Sequence, residues 1–243
     1  MVFGLFSKEK SLQRTIEKAT NKLAQQPDRW GALEKLKEDG TDDALFGLCK
    51  RFGVTSMKGV EDEQEKTWVM NVLVEKGLGS FNAVKRYMKT AEQLAFPLKV
   101  LERIADHDMV IKVVDEIFAT EPPGYVRMPE RRIDLIRWFT EWKGATDDEI
   151  VPRITPYMPD FDENVRFTVI EGLARCAPDK TVNYLIDALV RPEEESGRIR
   201  RTVVEVLQRT KAPLGARAAE VTAMLTGPLA DGFRVDGGIV KAR

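Results

Sequence analysis

The sequence predicts an all-α protein built as a solenoid of about six helix pairs, and three observations predict it. Apolar residues recur at i, i+3, i+4 and i+7 nearly throughout, and no stretch shows the strict alternation of a strand. Pro27, Gly40, Gly77, Pro122-Pro123, Gly144, Pro159, Pro178, Pro192, Pro213 and Pro228 all fall between such segments, where proline or glycine marks the edge of a helix. The last large apolar residue before every second break then recurs along the chain. These anchors are Leu36, Leu73, Leu101, Phe139, Leu173 and Leu207, spaced by 37, 28, 38, 34 and 34 residues.

The first element is an amphipathic helix over roughly 11–25, with Leu12, Ile16, Ala19 and Leu23 on one face. Residues 1–26 hold five Lys/Arg against two Glu, and they read as a cover for the open end of the first helix pair. With Val2, Phe3, Leu5 and Phe6 leading, contact between residues 1–26 and a membrane surface is the alternative. From 27 to 225 each anchor helix is followed by a turn and a second apolar helix: ALFGLCKRF, FNAVKRYMKT, MVIKVVDEIF, EIVPRITPYM, TVNYLIDALV and ARAAEVTAML. Thr41 and Thr146 stand where a side-chain oxygen can accept from the free N–H groups that open the next helix. Lys76-Gly-Leu-Gly-Ser80 has no strand before it, so it lacks the context of a phosphate loop and reads as a turn. Asp106-His107-Asp108 reads likewise as a solvated helix cap, and residues 226–243 as a tail.

The stretch Ile150-Val-Pro-Arg-Ile-Thr-Pro-Tyr-Met-Pro-Asp-Phe-Asp-Glu-Asn-Val-Arg-Phe-Thr-Val-Ile-Glu-Gly-Leu173 resembles the HEAT-repeat (armadillo-like) signature. It has an apolar-apolar-Pro helix start, an Asp-rich turn, and then Val-Arg opening the next helix. Ser196-Gly-Arg-Ile-Arg200 with Val203 and Leu207 repeats it. The first three pairs match through helix pairing alone, with no Val-Arg before Leu36, Leu73 or Leu101. The resemblance implies a right-handed α-α superhelix. It also implies that Arg166 and Arg200 are structural arginines, paired between repeats, with Asp160 and Asp162 as partners for Arg166. A tetratricopeptide array would need a fixed 34-residue period and Trp, Leu-Gly and Tyr positions that these repeats lack.

Composition narrows the function. The 243 residues are 43% hydrophobic and 32% charged, which excludes a disordered or collagenous chain. Lys and Arg total 38 against 39 Asp and Glu, so the basic excess of a dedicated nucleic-acid binder is absent. Cys49 and Cys176 fit neither a disulfide framework nor a zinc site and read as small buried hydrophobes. The apolar residues at the amino terminus precede the charged ones, the reverse of a secretory signal, so the cytoplasm is the expected compartment. A single histidine excludes His-rich metal sites and His-dependent triads. No catalytic set, cofactor site or metal site is expected.

The expected function is therefore that of a non-enzymatic scaffold or adaptor that holds a protein partner in a groove lined by second helices. Lys85, Lys89, Arg153 and Arg217 are the basic side chains on those helices left over from the core, and they suit a partner with an acidic segment. Segment 196–217 carries six basic residues against Glu205 alone, and Arg198, Arg201 and Arg209 form a second candidate stripe. Glu61-Asp-Glu-Gln-Glu65 and Glu193-Glu-Glu195 read as acidic caps of the helices that follow them. Some HEAT-like proteins are DNA glycosylases, and Asp134, Trp138 and Trp142 on one helix face are the residues that such an enzyme reading would use. Leu135, Ile136 and Phe139 make that helix apolar nearly all round, which favours core packing for both tryptophans.

Overall fold

The computed structural model describes residues 2–243, with side chains from Lys8 onward. Among these, the chain is all-α apart from one two-stranded hairpin. It divides into two compact units, Met1–Thr120 and Glu121–Arg243, and the six helix pairs fall three to each.

In the first unit α1 (Val2–Ala19) precedes the pairs α2 (Gln26–Asp39) with α3 (Asp42–Lys50), α4 (Gly59–Glu75) with α5 (Phe81–Met88), and α6 (Ala95–Ile104) with α7 (His107–Thr120). The helix α1 packs on α2 and α3, α2 on α4, α4 on α6, and α3 on α5. Its bounds differ from the expected 11–25. The chain turns after Ala19, where Thr20 donates back to the Ile16 carbonyl and the Asn21 side chain accepts from the Leu23 N–H. Leu23 is thereby left 77% exposed, while Ile16 and Ala19 are buried. The side chains of Val2, Phe3, Leu5 and Phe6, on which the membrane alternative rests, lie outside the described residues.

The second unit holds α8 (Glu130–Glu141) with α9 (Asp147–Ile154), α10 (Glu163–Leu173) with α11 (Pro178–Val190), and α12 (Gly197–Thr210) with α13 (Ala218–Met224). Here α8 packs on α10, α10 on α12, α9 on α11, and α11 on α13. A short α14 (Pro228–Gly232) leads into β1 (Phe233–Asp236) and β2 (Ile239–Ala242). These strands pair antiparallel with Asp236 opposite Ile239, so the segment beyond 225 is not a plain tail. Gly237 and Gly238 both have positive φ, at 61° and 76°, as the tight turn of a two-residue hairpin demands. Strand β2 packs on α12 and β1 on α13, burying Val240 and Phe233.

Local chemistry sets the helix ends. Thr41 accepts from the Ala44 N–H, Thr146 and Glu149 form a reciprocal capping box, and Asp162 and Ser196 cap α10 and α12. All six anchors are fully buried at the centre of the two cores. Gly172 is required by packing: a Cβ there would meet Thr140 Cγ2 at 2.7 Å, so its absence lets α10 approach α8.

Candidate functional site

Seven residues before each anchor stand Arg29, Lys66, Leu94, Arg132, Arg166 and Arg200. Five of the six pairs therefore carry a basic residue near the start of the first helix, including three, Arg29, Lys66 and Arg132, without a Val or Ile before it. In the first unit Arg29 donates through Nε and Nη2 to Glu65 at 3.1 and 2.8 Å, and Arg51 Nε reaches the same carboxylate at 2.7 Å. Arg51 Nη2 and Lys66 Nζ hold the two oxygens of Asp62 at 2.7 and 2.8 Å, and the Ser56 N–H adds a bond of 2.8 Å. Burial pushes the Asp62 carboxyl up, but the bonds from Lys66, the Ser56 N–H and Arg51 outweigh it and hold it at about 2. The acidic run 61–65 thus supplies the centre of a buried ion network, whereas the sequence suggested only a helix cap.

In the second unit the same position builds a ladder. Arg132 Nη1 binds Asp160 at 3.0 Å, and Arg166 binds Glu194 through Nε at 2.9 Å and Nη2 at 3.1 Å. Asp160 also accepts from the Asp162 N–H at 2.9 Å, and Glu194 from the Ser196 N–H at 3.0 Å, so the two carboxylates are anchored alike, although Arg132 binds through Nη1 alone and Arg166 through Nε and Nη2. The carboxylate for Arg166 is Glu194, not the expected Asp160 or Asp162: Asp160 is committed to Arg132, and Asp162 caps α10. Arg166 meets Asp160 only through its carbonyl oxygen, at 2.9 Å. Glu194 is buried, and Arg191 Nη2 also reaches it at 2.6 Å. Burial raises its carboxyl pKa, but Arg166 and the Ser196 N–H carry it below the usual range. The third rung is open, because Pro228 stands 28 residues beyond Arg200 where the closed rungs carry a carboxylate; the buried Arg200 Nε, like that of Arg132, finds no hydrogen-bond partner among the described residues.

The expected partner-binding cations are distributed differently from a single row of free charges. Lys85 and Lys89 belong to the first unit, Arg153 and Arg217 to the second. Lys85 Nζ binds Glu116 of α7 at 2.7 Å, and Lys89 is exposed. The Glu116 carboxyl is held below its ordinary range by the Lys85 bond first and by the charges of Lys85, Lys89 and Lys112. Lys85 is thus the cation bonded to Glu116, and Lys89 and Lys112 act on it through their charge alone. Arg153 donates to the Glu149 carbonyl at 2.9 Å and lies over the Phe139 ring, and Arg217 is bound by Asp187 at 2.7 Å and Glu220 at 2.8 Å. On α12, Arg198 meets Glu163 at 3.2 Å, Arg201 meets Glu205 at 2.8 Å, and Arg209 meets Glu171 at 3.0 Å. The local excess of 196–217 is matched by acidic residues 35 and 38 positions earlier in the chain, on α10.

Trp138 and Trp142 stack with centroids 5.5 Å apart and planes at 13°, and both are only half-buried, so they flank the core around Phe139 rather than fill it. Asp106 caps α7 by accepting from the Met109 N–H, with His107 exposed beside it. Both cysteines are buried. Burial raises both thiol pKa values, that of Cys176 to about 12, so both stay neutral near pH 7. Among the described residues no three His, Cys, Asp or Glu side chains converge as metal ligands, and no helix is long and apolar enough to cross a membrane. No protein-family model matches the chain, nor does any curated protein sequence.

Proposed function

We propose that this chain is a cytoplasmic protein-interaction scaffold of the HEAT-repeat kind, whose helix pairs stack as a right-handed solenoid and which carries out no reaction of its own. Within each unit first helices pack on first helices, and α3 packs on α5, α9 on α11 and α11 on α13, the stacking through which a solenoid offers one row of helices to a partner. The observation that carries the proposal is the basic residue seven positions before the anchor. In three pairs it reaches a buried carboxylate supplied by the next pair or by the turn leading to it. Buried charge is thereby committed to fixing how successive pairs sit, and the surface is left for binding.

The surface that fits an acidic segment best is the α5–α7 face, where Lys85 is bonded to Glu116 of α7 and Lys89, four residues on, is exposed. A glutamate-rich peptide is the probe, with association followed by stopped-flow. Lys85→Glu with Lys89→Glu should slow association about ten-fold at low salt. The melting temperature should hold, because a half-exposed pair such as Lys85–Glu116 contributes about 1 kcal/mol or less. Equal association rates for the wild type and the double variant would overturn this assignment. Submicromolar binding of duplex DNA at physiological salt would replace the scaffold with the DNA-directed alternative.

A further inference from the structure

A second surface has the opposite character. Between the turn that precedes α10 and the turn that precedes α12 lies a cleft of about 700 Å³ in the second unit. Its floor is the Arg166–Glu194–Arg191 cluster, and its walls carry Phe161 on one turn and Glu193 and Glu195 on the other. Phe161 and Glu195 each follow a rung carboxylate by one residue, after Asp160 and Glu194. The ladder repeat therefore sets an aromatic ring and a carboxylate at equivalent places in neighbouring turns.

We infer that this cleft binds an arginine-bearing segment of a protein partner. Of the five carboxylates that line it, Asp160, Glu163 and Glu194 are held by Arg132, Arg198 and Arg166, which leaves Glu193 and Glu195. Arg166 is held by Glu194 and the Asp160 and Phe161 carbonyls, and the two Nη groups of Arg191 by the Met158 carbonyl and Glu194, with its buried Nε left without a partner among the described residues. Glu193 and Glu195 are exposed and bind no cation among the described residues. Phe161 is 69% exposed, and Tyr125, 73% exposed, meets it edge-on at a centroid distance of 5.3 Å. Two large aromatic side chains side by side in water, next to two unpaired carboxylates, suit a planar cation. A guanidinium can stack on a ring face while its N–H groups reach a carboxylate in bidentate fashion. The site is separate from the Lys85–Lys89 face and selects the opposite charge, so it stands whether or not that face binds an acidic segment.

The test uses the full chain and a blocked peptide carrying three arginines, titrated by calorimetry, with the citrulline peptide of equal shape as the neutral control. Saturable binding of the arginine peptide is expected. Phe161→Ala and, separately, Glu193→Gln with Glu195→Gln should each weaken it about five-fold or more, and the citrulline peptide should bind about ten-fold more weakly or not at all. All three side chains are exposed, so the variants should melt with the wild type. Absence of saturable binding, equal binding by the variants, or equal binding of the two peptides would each overturn the assignment.

Discussion

Removing the charge of Glu65 should destabilise the first unit more than any surface substitution. Glu65 is fully buried and accepts from Arg29 and Arg51, whose side chains are also buried. Glu65→Gln keeps the shape but turns an NH2 group toward at least one guanidinium donor and leaves two buried cations short of one negative charge. Breaking a buried pair in this way costs about 3–5 kcal/mol. Two features of the network place Glu65→Gln near the lower end. Arg51 keeps Asp62 at 2.7 Å and the Val54 carbonyl at 2.6 Å, while Arg29 keeps Glu61 at 3.4 Å and the Ala24 carbonyl. With a urea dependence of about 2 kcal/mol per molar, a loss of about 3 kcal/mol lowers the unfolding midpoint by about 1.5 M. Urea unfolding followed by far-UV circular dichroism reads the shift, and hydrogen exchange in α2 and α4 localises it to the first unit. Glu116→Gln, which breaks the half-exposed pair with Lys85, is the control and should move the midpoint little. A Glu65→Gln midpoint within about 0.3 M of the wild type would refute the view that this network holds the unit together.

The ladder predicts an asymmetry between equivalent arginines. Arg166→Met should lower the melting temperature by about 6 °C or more by leaving Glu194 with Arg191 alone, whereas Arg200→Met, at the open rung, should change it by about 2 °C or less in a scanning calorimeter. Asp62 contributes to acid sensitivity. Its folded-state pKa of about 2 lies below the ordinary 3.8, so its stabilisation is present above pH 3.8 and is lost as the pH falls toward 2; the difference amounts to about 2 kcal/mol. Urea midpoints from pH 5 to 2 should fall less steeply in Asp62→Asn than in the wild type, and parallel slopes would refute the assignment. Both thiols should resist iodoacetamide at pH 8 in the native protein and react together with unfolding, as mass spectrometry of timed samples would read, because burial keeps them neutral.

The helical cores were legible because periodicity reports burial directly: Leu36, Leu73, Leu101, Phe139, Leu173 and Leu207 all reach the fully buried centre. The ion networks were legible only in part. A charge run such as Glu61–Glu65 or Glu193–Glu195 shows its local sign but not its partners, which stand up to 36 residues away in Arg29 or 28 away in Arg166. The signal that identifies them is the anchor offset of seven, which reads through Arg29 and Lys66 although neither belongs to a Val-Arg pair. The same distance effect holds for the charge count on α12, where Arg198 and Arg209 are matched by Glu163 and Glu171 of α10. The hairpin had a local signal: Phe233-Arg-Val-Asp and Ile239-Val-Lys-Ala flank Gly237-Gly238, but four-residue strands weigh little against a helical background. Tyr125 and Phe161 are two isolated aromatics in sequence, and only the fold brings their rings together.

In both closed rungs of the second unit the arginine and its carboxylate are 28 residues apart, and the rungs themselves repeat every 34. Such a ladder works as a length gauge. Inserting or deleting one residue between Arg166 and Glu194 would misplace a charge in a buried position, so that interval tolerates length changes poorly. Copying a whole 34-residue block would restore every pairing and add one more rung. Growth by duplication is therefore compatible with the buried charges, whereas drift in turn length is opposed by them, and Arg200, with no carboxylate of its own, is the end at which an added block would find a cation waiting.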